Sequence, residues 1–154
     1  MADIPDRMRQ NGRGVDGSFG LEEFLYRRFT DSEIKGQELH TDQLPFHPAM
    51  SVNRQKYSEP QDVLYPNYFQ SCGVFQFRVN AIPPRYETDG GVIYEWAPVH
   101  VPEPENYAHS EVRTLKNGLF DPGLKLHSSL VKKWFREYLR DRAQIIILPG
   151  AAVP

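Results

Sequence analysis

The sequence predicts an α+β domain: a small, mostly antiparallel sheet packed by one C-terminal amphipathic helix, with long irregular loops between the elements. Three observations carry that prediction. Leu130, Val131, Trp134, Phe135, Tyr138 and Leu139 recur at the three–four spacing of a helical face, giving a helix over 129–142. Phe75, Phe77 and Val79 alternate with polar residues, as do Val92, Tyr94 and Trp96, giving strands near 73–79 and 92–97. Asn117-Gly118 follows a third alternating run and marks a hairpin turn, giving a strand near 109–116.

Taken along the chain, residues 1–18 hold Arg7, Arg9, Arg13 and several glycines but no apolar period, which predicts a flexible N-terminal arm ahead of a single domain over 19–154. Leu21, Phe24, Leu25 and Phe29 fall at helical spacing and predict a short helix, although Phe24, Tyr26 and Arg28 also alternate as a strand would. From Thr30 to Asn53, with Pro45 and Pro48, no period survives and a long irregular connection is expected. Ser58, Pro60 and Asp62 form a helix start that Pro66 soon limits. The strands near 73–79 and 92–97 are expected to pair with each other. The Pro102–Pro104 passage reads as extended chain at a sheet rim. Ser128 or Ser129 caps the C-terminal helix, and Ile145 to Leu148 reads as a strand near 144–148 covered on both faces.

Composition narrows the class. A chain of 154 residues with 40% hydrophobic and 12% aromatic content is enough for one self-sufficient core. The net charge of −2 gives no overall attraction to a polyanion. A single cysteine, Cys72, rules out an intramolecular disulfide and fits a reducing, cytoplasmic setting. The basic N-terminus has no apolar stretch of secretion-signal length behind it, and no apolar run approaches the ~20 residues of a membrane span.

The residues with the clearest chemical potential are His109 and Glu111, which a strand would place on one face about 7 Å apart. An imidazole and a carboxylate at that spacing suit general-base work, and His100 adds a second imidazole for a two-His, one-carboxylate metal set. Arg54 and Lys56 precede the Pro60 helix start and form a candidate anion site, with Arg27 as a further cation. No GK[ST] motif accompanies them, so a P-loop is excluded. His40, His47 and His127 show no partner spacing. Lys132, Arg136 and Arg140 line the polar side of the last helix.

Arg27, Ser51 and Glu111 run in the order Arg, Ser, Glu, and that order resembles the motif of NAD-consuming ADP-ribosyltransferase-like domains. The fuller serine-threonine-serine stretch of such families is missing here. The resemblance implies a nucleotide substrate and a role for Glu111. Three functional classes follow. The first is an interaction or regulatory domain, a subunit, adaptor or immunity-type protein, which works by binding another protein. The second is a small enzyme, hydrolase or ADP-ribosyltransferase-like, acting on a nucleotide or other phosphate-bearing substrate and centred on His109 and Glu111. The third is a nucleic-acid-contacting module using the basic face of the last helix.

Overall fold

The computed structural model describes residues 4–36, 38–40, 44, 46–65, 71–125 and 129–150; Pro45, Pro66, His127 and Ser128, named above, lie outside them. Strands form at Phe24–Phe29 (β1), Ile34–Lys35 (β2), Glu38–Leu39 (β3), Ala49–Arg54 (β4), Gly73–Arg78 (β5), Tyr86–Glu87 (β6), Ile93–His100 (β7), His109–Lys116 (β8), Leu119–Phe120 (β9) and Gln144–Ile147 (β10), with an α-helix, α1, at Ser129–Arg142. The architecture is α+β. One curled antiparallel sheet runs β10-β5-β1-β4-β8-β7-β6, with β9 folded back on β8, and β2 pairs β3 in a separate small hairpin.

The alternation within each strand decides what faces the core. Leu25 and Phe29 of β1, Met50 and Val52 of β4, Phe75 and Phe77 of β5, Val112 of β8 and Trp96 of β7 point to one side and form a single cluster. Helix α1 closes that side with Val131, Phe135 and Leu139, all buried. Phe135 packs edge-on against Phe46 at 5.3 Å between ring centres and against Trp96 at 5.2 Å. Burying one such aromatic is worth about 2–3 kcal/mol. Leu130, expected on the apolar face, is exposed. The Asn117-Gly118 turn forms as expected, with φ of 50° and 79°, the left-handed pair that a two-residue hairpin demands.

Several expectations are corrected by long-range pairing. Within the segment 21–29, Phe24–Phe29 is a strand, β1, because it is held between β4 and β5, and the pairing on both sides outweighs the helical spacing of Leu21, Phe24, Leu25 and Phe29. The supposed irregular stretch up to Asn53 ends in β4, a central strand. The strands near 73–79 and 92–97 do not pair; β1, β4 and β8 stand between them. The strand near 144–148 is not central, since β10 is the outermost strand, with Ile146 37% and Leu148 47% exposed. The Pro60 segment is a 3-10 turn, Pro60–Leu64, whose Asp62 accepts the Glu59 N–H at 2.9 Å.

The N-terminal segment, expected as a flexible arm, is strapped to the domain over residues 4–18. Arg7 forks onto Asp62 at 2.8 and 2.6 Å, Met8 is buried, and the Tyr107 N–H donates to the Met8 carbonyl at 2.8 Å. Further on, Asp16 takes Lys56 Nζ at 2.7 Å and the Tyr57 hydroxyl at 2.6 Å. The missing apolar period was a poor guide because this segment is held by polar bonds.

Candidate functional site

The sheet is not continuous. β1 pairs β5 along its full length, and β4 pairs β8 from Ala49 to Asn53, but β1 and β4 join through only Leu25↔Arg54 and Tyr26↔Asn53. Past Tyr26 the two strands part. Their facing backbone groups lose the ladder there and need other partners. Arg27 supplies one, its Nη1 donating to the Ser51 carbonyl at 2.7 Å across the gap.

A cavity of about 820 Å³ opens at this split. Its walls are the parted ends of the two strands, Tyr26 to Thr30 and Ser51 to Asn53, together with His109 of β8, the Glu103–Asn106 turn, Val63, Tyr65, Cys72, and Ile4 and Met8 of the strap. The volume is in the range of small-molecule and nucleotide sites. Register settles which side chains meet there. Ser51 is opposite Glu111 and Asn53 opposite His109, so these four share the face turned away from α1. Glu111 is opposite Ser51 on β8 but is not part of the cavity wall, and it accepts Arg113 Nε at 2.9 Å.

His109 has a defined tautomer. Its Nδ1 contacts the Val101 carbonyl at 2.8 Å, and a carbonyl only accepts, so Nδ1 carries the proton. Nε2 then presents its lone pair to the Ser51 hydroxyl, 3.3 Å away. The Glu103 carboxylate lies 3.6 Å from Nδ1. A hydroxyl facing an imidazole lone pair, with the far nitrogen oriented by a carbonyl and a carboxylate, is the arrangement a nucleophile or a bound water needs for activation.

Two arginines, Arg27 and Arg28, line the cleft, and bonded across it is Arg27. It makes no ion pair among the described residues, and the Ser51 carbonyl is the acceptor it has found. Burial lowers its guanidinium to about 10, with Glu33 pulling the other way and Arg28 adding to the burial effect. Burial first and Arg27 second also lower His47. A charged, half-buried fork with donors to spare is suited to a bound oxyanion.

The remaining predicted residues lie elsewhere. His100 is opposite Ser110, on the core-side face, where it is buried under the strap. Its Nδ1 accepts the Asp16 N–H at 2.8 Å and its Nε2 donates to the Tyr107 carbonyl at 2.7 Å. The expected set of His100, His109 and Glu111 is therefore divided between two faces, and among the described residues no group of three His, Cys, Asp or Glu could hold a metal ion. Arg54 is 0% exposed and fully engaged: Nε and Nη2 bond Glu23 at 3.1 and 3.0 Å, Nη1 the Asp16 carbonyl at 2.7 Å, and Nη2 the Ser18 carbonyl at 2.6 Å. Lys56 is paired with Asp16. The expected Arg54–Lys56 anion site is thus filled by the chain's own carboxylates and carbonyls.

On α1, Lys133 approaches Glu137 at 3.9 Å, Arg140 bonds Asp141, and Arg142 covers the Tyr138 ring at 3.5 Å; of the three cations expected on its polar side, only Arg140 is ion-paired among the described residues. Among the described residues no helix is long and apolar enough to cross a membrane. Sequence reading missed Tyr26, Asn53, Glu103 and Asn106 as cleft residues. The alternation of Met50 and Val52 with Ser51 and Asn53 was the signal available for β4. In comparisons with known proteins, no family model, no curated protein and no solved structure matches the chain.

Proposed function

We propose that the chain is a small enzyme that binds a nucleotide or related phosphate-bearing substrate in the cleft between β1 and β4, and acts on it as a hydrolase or in an ADP-ribosyltransferase-like reaction. The observation that carries this reading is the meeting of Arg27, Ser51 and His109 around one cavity, with Glu111 directly across from Ser51. Arg27, Ser51 and Glu111 lie on three successive strands of the sheet, Ser51 and Glu111 on the face turned away from α1 and Arg27 on that of Leu25 and Phe29, from which it bonds the Ser51 carbonyl across the gap. Arg27 would hold phosphate oxygens with the donors that Ser51 leaves unused. His109 would take a proton from Ser51 or from a water beside it, and Glu111 would stabilise positive charge developing on the substrate.

The test uses the full chain with pyrophosphate, ADP-ribose and NAD. Calorimetry should show binding that Arg27→Gln weakens about tenfold or more, as expected for loss of a charge-assisted contact. Chromatography of NAD incubations should show turnover that Glu111→Gln and Ser51→Ala abolish while binding persists. Absence of binding by all three compounds, or an unchanged rate in Glu111→Gln, would overturn it.

The interaction-domain reading has one specific support, the open outer edge of β10 with Ile146 and Leu148 exposed. An unpaired edge of this kind can add a strand from a partner. Charged replacements at Ile146 and Leu148 that left recovery of a specific partner unchanged would remove it.

A further inference from the structure

One amide pair in the cleft is incomplete. Asn53, 2% exposed, lines the cavity together with Asn106. Asn106 Nδ2 donates to Asn53 Oδ1 at 2.7 Å, while Asn53 Nδ2 and Asn106 Oδ1 are both shut off from solvent with no partner. Two carboxamides can share two hydrogen bonds, and these share one. Whichever way the two amides are turned, the contact between them is a single N–H···O bond. Buried amide groups seldom remain unpaired in a native structure, and each that does calls for an explanation.

We propose that Asn53 reads the hydrogen-bonding edge of a nucleobase and that Asn106 is a place-holder which the base displaces. The inference rests on the nucleotide reading above and assigns the base its position. An Asn side chain presents a donor and an acceptor side by side and pairs with a base edge through two bonds, as with N7 and N6 of adenine. Asn106 makes one bond to Asn53; a base makes two, and that surplus drives the exchange. The two residues differ in freedom. Asn53 is fixed on the central strand β4, paired with both neighbours. Asn106 ends an exposed turn closed on itself by the Glu103↔Asn106 bridge, so its side chain can swing aside without disturbing the sheet. Ser51 lies two residues along the same strand, about 7 Å from Asn53, so a base at Asn53 leaves the sugar and phosphate facing Ser51 and Arg27. Tyr26 and Tyr65 line the same cavity and provide aromatic surface.

Adenosine, which carries no phosphate, tests the base position by calorimetry and thermal shift on the full chain, with pyrophosphate titrated in parallel. Adenosine is expected to bind, purine riboside, which lacks the N6 amino group, to bind about tenfold more weakly, and Asn53→Ser to weaken adenosine about tenfold. Asn106→Ala should act in the opposite direction and tighten adenosine several-fold, because the competitor is gone. Adenosine that fails to bind, or binds more weakly to Asn106→Ala, overturns the proposal. Pyrophosphate binding that persists while adenosine is silent overturns the base position alone; silence of both removes the nucleotide site as well. Should Asn53→Ser fail to fold, the sign of the Asn106→Ala effect still decides.

Discussion

Replacing Arg54 by Met separates its structural role from the anion-binding role expected of it. The guanidinium is wholly buried, doubly bonded to Glu23, bonded to the Asp16 and Ser18 carbonyls, and stacked 3.9 Å from the centre of the Phe19 ring. Arg54→Met keeps most of the aliphatic packing but leaves the Glu23 carboxylate, whose side chain is 10% exposed, without its cation, and two carbonyls without their donor. Removing one partner of a buried pair costs about 3–5 kcal/mol. At about 2–4 °C per kcal/mol for a chain of this size, the midpoint should fall by about 8–16 °C if the cost is near 4 kcal/mol. Calorimetry and urea unfolding followed by tryptophan fluorescence should agree on that loss. Adding Glu23→Gln should restore part of it, since the stranded charge disappears. A melting point within about 3 °C of the parent would refute the argument, as would a fully stable Arg54→Met that had lost pyrophosphate binding.

Two further predictions concern the sheet and the strap. Gly73 sits between β1 and β10 where a Cβ would come within 2.6 Å of both the Ile147 carbonyl oxygen and the Phe29 ring, so Gly73→Ala should cost about 1–3 kcal/mol by overpacking; an unshifted denaturation midpoint would contradict this. Asp16 is held well below the usual carboxylate range by hydrogen bonds from Lys56 first, then Tyr57 and Ser18. A carboxylate depressed in the folded state contributes its stability in full above its unfolded value near 3.9, and loses it as pH falls below that. The stability gap between the parent and Asp16→Asn should therefore be constant above about pH 5 and close on acidification, and hydrogen exchange at Ser18 should rise over the same window; a gap independent of pH would refute the assignment.

How legible the protein was in its sequence depended on the range of the interactions that decide each element. Helix α1 and the Asn117-Gly118 hairpin are set by neighbours a few residues apart, and both formed where the spacing placed them. β1 was ambiguous because Phe24, Leu25 and Phe29 satisfy both periods, and only the partners at Arg54 and Phe77 settle it. β4 was hidden because it is one short strand behind proline-containing chain. Its recognition would have required knowing that Met50 faces Val112 from another part of the sequence. The candidate site divided along the same line. His109 and Glu111 share a face because strand geometry alone requires it, whereas His100 was lost from the set because its strand is one register step out of phase with theirs.

The two arginines on β1 and β4 show why charge in a sequence does not identify a binding site. Arg54 is wholly buried and Arg27 half-buried, but Arg54 meets a carboxylate and two carbonyls, while Arg27 meets one carbonyl and has its guanidinium pushed down to about 10 by burial. A cation whose folded value is depressed is a net liability to the unliganded fold at every pH below about 10, and the liability is relieved only by deprotonation or by a bound anion. Arg27→Gln retains an N–H for the Ser51 carbonyl and removes the charge. Its unliganded stability should therefore lie within about 1 kcal/mol of the parent, or above it, in contrast to Arg54→Met. Addition of pyrophosphate should then stabilise the parent but not the variant, by the linkage between binding and unfolding. A large loss of stability in unliganded Arg27→Gln would mean that Arg27 acts chiefly to hold the split sheet together, and the phosphate role assigned to it would fail.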